Sequence, residues 1–312
     1  MPHLAILILS SLFFSSISAA SPLRVGTTLW PGYEPLYLAQ DIKAFKEDIR
    51  IIHYPSTSEV LRAFKNKTLE AAALTLDEIV SLEESGIELE IILVLDVSEG
   101  ADVIMAKPEI KNMQGLIGAS VAVESTAVGA YTLSRALEIH GIDISKIHLV
   151  NVENSSHRLT YESNLADAVV TYEPVRTQLL NAGAIEIFNS SEIPGEIIDV
   201  LAVHKDIIQS HKTELLDISQ GWFKALKYMK DEPISSYKFI ASRMKVNTRE
   251  AKESYFGLSL PNLKKNKELL SGTPPPLVET FKRLTQHMKN NHLISPSFSS
   301  LTTVNTQFLP ED

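Results

Sequence analysis

From Leu23 onward the chain alternates short apolar strands with amphipathic helices, and this alternation confines it to a layered α/β architecture. Leu23–Thr28 reads as a strand, after which Leu38, Ile42 and Phe45 recur four and three apart, as on one helix face. Ile49–Tyr54 is the next strand. Ser56-Thr57-Ser58-Glu59 is a capping box that opens a helix burying Val60, Leu61 and Phe64. Ala71–Leu74 is a third strand, Thr75–Glu78 a second capping box, and Gly86 stands where a helix end favours a left-handed residue. Leu89–Leu95 is a continuous apolar run, the pattern of a parallel strand covered on both faces.

A second series begins near Val103. Strands are expected at Val103–Ala106, Ala119–Val123, Ile147–Val152, Asp167–Thr171 and Ile185–Phe188. Helices fall at Ala127–His140, ended by Gly141, and at Pro174–Ala182, with proline in the first turn. Asp199–Val203 returns as a strand. The remainder is helical: a stripe of Leu215, Ile218, Trp222 and Leu226, then segments near 233–243, 248–257 and 277–290. The Ser- and Thr-rich tail from Ser295 reads as a loosely packed end. Two strand–helix series imply two lobes, with crossings at Asp96–Asp102 and near Pro194–Asp199. One lobe takes residues 21–98 and 200–312, the other residues 99–199.

Before Arg24 no side chain but His3 can carry a charge, and an apolar stretch runs from Leu4 to Phe14. Ser18 and Ala20 fit the small-residue positions of a signal-peptidase site, so residues 1–20 read as a signal peptide cleaved near Ala20. An anchoring helix is the alternative; the short apolar core and five serines between Ser10 and Ser18 count against it. The net charge of -9, with no local basic cluster, excludes a generic nucleic-acid binder. The absence of cysteine removes thiol nucleophiles, disulfides, cysteine metal sites and a lipoprotein anchor, which leaves a freely diffusing periplasmic chain as the expectation.

LWPGYEPLYLA (29–39), LVLDVSEGADVIMAKPEI (93–110), VAVESTAVGAYTLSRALE (121–138), ADAVVTYEP (166–174) and the IPG…DVLAV run (193–203) resemble extracytoplasmic solute-binding proteins of ABC transporters. The branch is the nitrate/sulfonate/taurine type, which also includes binders of thiamine-pyrimidine precursors. The resemblance spans about residues 22 to 260 in one consistent order. It implies a type II periplasmic-binding-protein fold, with two lobes joined by two crossing hinge strands that close over a small molecule. It also implies a monomer that delivers its ligand to a membrane ABC permease and its ATPase. Two departures matter. Pyrimidine-binding relatives carry Asn and His after the first-strand Trp, whereas Trp30 is followed by Pro31-Gly32-Tyr33-Glu34. Related pyrimidine synthases carry a cysteine-rich motif, and this chain has no cysteine.

Open α/β sheets bind ligands beyond the carboxyl ends of their strands. The candidates there are Trp30, Tyr33, Ser56, Thr75, Ser98, Asp102, Glu124, Ser125, Thr126, Tyr172, Glu173 and Asp199. Trp30 and Tyr33 form either an aromatic wall for a ligand or a packed lobe surface. Ser56, Thr75, Ser125 and Thr126 precede helices, where N-capping explains them without a ligand; the same N-termini can also hold an anionic oxygen. Asp102, Glu124, Glu173 and Asp199, taken together, would make the cleft negative and select a cationic or zwitterionic solute, which beside the resemblance gives a small organic molecule containing nitrogen or sulfur as the expected ligand. Taken singly, each is also a solvated loop acid or an ion-pair partner. No G-x-S-x-G, H-E-x-x-H or phosphate-loop pattern occurs, and the nine histidines are scattered. No catalytic residue, metal or cofactor is therefore expected. A sensory module that presents its ligand to a membrane receptor, or an enzyme using the same cleft, are the alternative functions.

Overall fold

The computed structural model describes residues 21–300 and 303–311, so the expected signal peptide lies outside the described residues. In chain order the strands are β1 (Leu23–Thr27), β2 (Ile49–His53), β3 (Ala71–Thr75), β4 (Leu89–Ser98), β5 (Val103–Ala106), β6 (Ser120–Val123), β7 (His148–Asn151), β8 (Ala168–Thr171), β9 (Ile185–Asn189), β10 (Ile198–His204), β11 (Leu258–Ser259) and β12 (Thr303–Val304). The α-helices are α1 (Glu34–Asp41), α2 (Thr57–Lys65), α3 (Leu76–Glu84), α4 (Val128–Ile139), α5 (His157–Glu162), α6 (Val175–Asn181), α7 (Lys212–Asp231), α8 (Pro233–Met244), α9 (Thr248–Glu253), α10 (Leu263–Leu270) and α11 (Pro276–Asn290).

These strands form two sheets. The first has seven strands in the order β11-β4-β10-β3-β1-β2, with β12 also on β4; the second has five, in the order β7-β6-β8-β5-β9. β2, β1 and β3 run parallel, as do β7, β6 and β8. β10 is antiparallel to both β3 and β4, and β5 is antiparallel to β8 and β9. The chain passes from the first sheet to the second between Ser98 and Val103 and returns between Asn189 and Ile198. Hydrogen bonds lace the two crossings together. The Ser98 and Ser190 hydroxyls are 2.7 Å apart, Ser190 Oγ accepts from Gly100 N–H at 2.7 Å, and Ser190 N–H donates to the Asp102 carbonyl at 2.8 Å.

Leu89–Leu95 is covered on both faces, as its apolar run predicts: Ile91, Ile92, Leu93, Val94 and Leu95 are fully buried. Each such side chain contributes about 1.5–3 kcal/mol. The parallel expectation for this strand is corrected, because its long neighbour β10 is the antiparallel return strand. A run buried on both faces reads the same whichever way its partner points. α1 stops at Asp41, short of the expected Phe45, and α5 and α10 are helices that short polar sequences concealed. The loosely packed tail is also corrected. Thr303 and Val304 pair with Glu90 and Ile91, Asn305 Nδ2 donates to Glu90 Oε2 at 2.7 Å, and Phe308 is buried. Ser and Thr dominate the composition there, but Phe308 and Leu309 supply the apolar anchor. No helix among the described residues is long and apolar enough to cross a membrane.

Candidate functional site

The carboxyl ends of β1, β3 and β8, the start of β10 and the crossing after β4 meet at a cavity of ≈ 20 Å³. Its walls are Thr28, Trp30, Tyr33, Thr57, Thr75, Glu78, Asp102, Val128, Tyr172 and Asp199. Six of the sequence candidates are thus brought together: Trp30, Tyr33, Thr75, Asp102, Tyr172 and Asp199. Larger grooves lie on the surface, including one of ≈ 460 Å³ that reaches Asp77 and Tyr131, but they lack the concentration of strand ends.

Aromatic rings are fixed around the cavity by its acids. Pro31 starts a 3-10 turn, Pro31–Tyr33, which turns the Trp30 and Tyr33 side chains inward to near-complete burial. Trp30 Nε1 donates to Asp96 Oδ2 at 3.0 Å, and the Tyr33 hydroxyl donates to Asp199 Oδ1. Trp30 meets Tyr172 edge-on, with ring centroids 5.2 Å apart and planes at 82°. Such a pair adds about 0.5–1.5 kcal/mol beyond its buried area.

Three acids line the cavity, Glu78, Asp102 and Asp199, and Asp77 and Asp96 lie buried beside them in sequence or sheet. Asp96, Asp102, Asp199, Asp77 and Glu78 are all 4 % exposed or less. Burial pushes Asp102 up to about 7, with the Asp77 charge adding and the Ser98 contact opposing. Burial likewise lifts Asp96 to about 7 and Asp77 to about 6. Asp199 is raised well above the carboxylate range by burial and then by Asp96, and Glu78 by burial and then by Asp77. Asp96 Oδ1 and Asp102 Oδ2 are buried without a hydrogen-bond partner. No lysine or arginine is among the described residues lining the cavity. Two like charges about 4 Å apart repel by ~4 kcal/mol at an effective dielectric of about 20. A helix N-terminus returns only about 0.3–1 kcal/mol to an anion. Acids and aromatic rings, with no lysine or arginine, therefore set the chemistry of the lining.

The other six candidates stand elsewhere. Ser56 caps α2, accepting from Glu59 N–H at 3.4 Å, and Ser98 sits at the paired crossings. Ser125 is exposed, its N–H donating to Asn151 Oδ1 at 3.1 Å. Thr126 is exposed too, its hydroxyl 2.7 Å from that of Ser58. Glu124 lines a neighbouring void of ≈ 10 Å³ beside His157, whose imidazole burial pushes down to about 4. Glu173 is buried but faces away from the cavity. It accepts from Thr177 N–H at 3.1 Å, from the Thr177 hydroxyl at 2.9 Å and from Arg176 Nη1 at 3.2 Å, capping the start of α6. Its expected contribution to a negative cleft is corrected accordingly: its own helix neutralises it. Glu78 lines the cavity without being among the sequence candidates, and Asp96, also outside them, stands behind the wall bonded to Trp30. Asp96 is the one acid inside the buried face of β4, a signal that could have been read; Glu78 was hidden behind its capping-box role.

Among solved structures, the chain is similar to the alkanesulfonate-binding protein SsuA from Xanthomonas axonopodis pv. citri bound to MOPS. That match has a TM-score of 0.77 and 13% identity, and covers 92% of this chain and 100% of that one. It is also similar to the periplasmic aliphatic sulphonate binding protein SsuA from Escherichia coli, with a TM-score of 0.72, 14% identity and coverage of 89% and 94%. The periplasmic nitrate-binding protein NrtA from Synechocystis PCC 6803 aligns with a TM-score of 0.71 at 12% identity, covering 88% of this chain and 83% of that one. At these identities the likeness establishes the periplasmic-binding-protein fold. No curated protein sequence matches the chain. The model of the NMT1-like family matches residues 18–239, well over half of the sequence, and the chain belongs to that family.

Proposed function

We propose that the chain is an extracytoplasmic solute-binding protein that captures a small organic molecule containing nitrogen or sulfur, cationic or zwitterionic, and hands it to an ABC permease by hinge closure. The observation that carries this reading is the buried, unpartnered carboxyl oxygen Asp102 Oδ2 in an aromatic-walled site whose lining also holds Glu78 and Asp199 and carries no lysine or arginine. An ammonium group would satisfy the Asp102 oxygen and lie against the Trp30 and Tyr172 rings. A nitrate or sulfonate would meet acids and no lysine or arginine on that lining.

The size of the cavity supports hinge closure. A cavity of ≈ 20 Å³ has room for about one water, so a solute must enter while the halves stand apart. The lobes at 21–98 with 200–312 and at 99–199 would then move about the two crossings, and closing would present one joint surface to a permease. A thermal-shift screen of residues 21–312 against amines, amino acids, sulfonates, pyrimidines and inorganic anions tests the reading. A solute at 100 times its Kd adds about 2.7 kcal/mol. Amines or zwitterions should raise the melting temperature. A shift produced by nitrate or sulfonates alone refutes the reading.

A further inference from the structure

Two carboxylates reach across the cleft in opposite directions, each into the N-terminus of a helix belonging to the other sheet. Glu78, at the third position of α3, accepts from Thr75 N–H at 2.9 Å through one oxygen. Through the other it accepts at 3.3 Å from the N–H of Val128, the first residue of α4. Glu124, just past β6, accepts from both the N–H and the hydroxyl of Ser58, at 3.0 and 2.8 Å, in the first turn of α2. Its second oxygen accepts from Asn154 N–H at 3.2 Å. Both side chains are buried, at 2 and 4 % exposure.

The first turn of a helix offers unpaired N–H groups and the positive end of the helix dipole, the features that attract an anionic ligand. Here those places are filled by the chain's own acids, one from each half. We propose that Glu78 and Glu124 form a reciprocal latch that holds the cleft closed without a ligand and denies anionic solutes the N-termini of α2 and α4. The inference rests on the hinge-closing reading above and deepens it. The sequence offers capping serines and threonines at these N-termini; at α2 a carboxylate from the far side of the cleft joins the Ser56 cap, and at α4, whose N-cap Ala127 has no capping side chain, the carboxylate stands alone.

Because the chain has no cysteine, spin labels can be placed without background. Cysteines replacing Asn66 and His148, both exposed and on opposite halves, would carry nitroxides for distance measurement on the ligand-free protein. The native residues at 78 and 124 should give one narrow distance. Glu78→Ala with Glu124→Ala should lengthen and broaden it by several ångströms. Sodium nitrate and sodium methanesulfonate should leave the native protein unchanged and bind the double variant at least tenfold more tightly. Should the alanine pair fail to fold, Glu78→Gln with Glu124→Gln keeps the volume and removes the charge, and it should still gain anion binding. An unchanged distance in the folded double variant, or equal anion binding by native and variant protein, overturns the latch. The distance is read without solute, so failure of amines to bind would sink the proposed function and leave this result standing.

Discussion

The indole N–H of Trp30 donates to Asp96 Oδ2 at 3.0 Å, joining the loop after the first strand to a strand that begins more than fifty residues later. The bond leaves the other Asp96 oxygen unpartnered and holds the indole against Tyr172. Trp30→Phe keeps an aromatic edge but removes the donor. A second Asp96 oxygen is then buried unsatisfied, which should lower stability by about 1–3 kcal/mol. Denaturant unfolding measures that loss, and the same variant should weaken solute binding in the thermal-shift assay.

Gly32 lies under this pair. A Cβ there would stand 1.8 Å from Asp96 Oδ2 and 2.5 Å from Trp30 Nε1. Gly32→Ala must therefore break the Trp30–Asp96 bond, and should destabilise by about 1–3 kcal/mol. Tryptophan emission should shift to longer wavelength as Trp30 becomes hydrated, while the fully buried Trp222 keeps its environment.

Asp102 sets a pH dependence whose sign is fixed by burial. Its folded value of about 7 lies above the ordinary 3.8, so between those values the folded chain keeps a proton that the unfolded chain releases. The stabilisation is complete below pH 3.8 and is lost as pH rises through 7. Ligand-free protein should unfold at lower denaturant at pH 8 than at pH 5. Asp102→Asn should flatten that slope, raise stability at pH 8, and abolish binding of a cationic solute. Equilibrium unfolding of both proteins at the two pH values checks the prediction.

Arg135 braces α4 against the return crossing. Its Nε and Nη2 donate to the two Glu196 oxygens at 2.7 and 2.9 Å, and the Tyr131 hydroxyl adds a third bond at 2.7 Å. Arg135→Lys loses the paired fork and should cost about 1–3 kcal/mol. A double-mutant cycle with Glu196→Gln should show a coupling above about 0.5 kcal/mol.

Much of this architecture is legible in the residues. Ser56, Thr75 and Gly86 punctuate the first helices where the structure has them, and DVSEGAD marks the first crossing. What escapes is long-range. The direction of the strand beside Leu89–Leu95 is set by β10, a hundred residues later, and nothing in an apolar run encodes it. Glu173 sits at a strand end like Asp102, yet Thr177 and Arg176 one turn on draw its carboxylate into α6. Asp96 and Glu78 come near Asp199 only because β10 lies between β3 and β4 in one sheet, setting Asp199 opposite both Asp96 and Thr75. Phe308 anchors the tail against a strand far from it in sequence, against the bias of the Ser and Thr around it.

The proposed cavity is expected to recognise positive charge. The most direct measurement is calorimetric titration at pH 8 of an amine that shifts the melting temperature, compared with its N-acetylated counterpart. The amine should bind in a 1:1 complex and lose at least tenfold in affinity when acetylated or when Asp102 is replaced by Asn. Equal binding of the amine and its uncharged analogue, or tighter binding of nitrate or a sulfonate, would contradict the account.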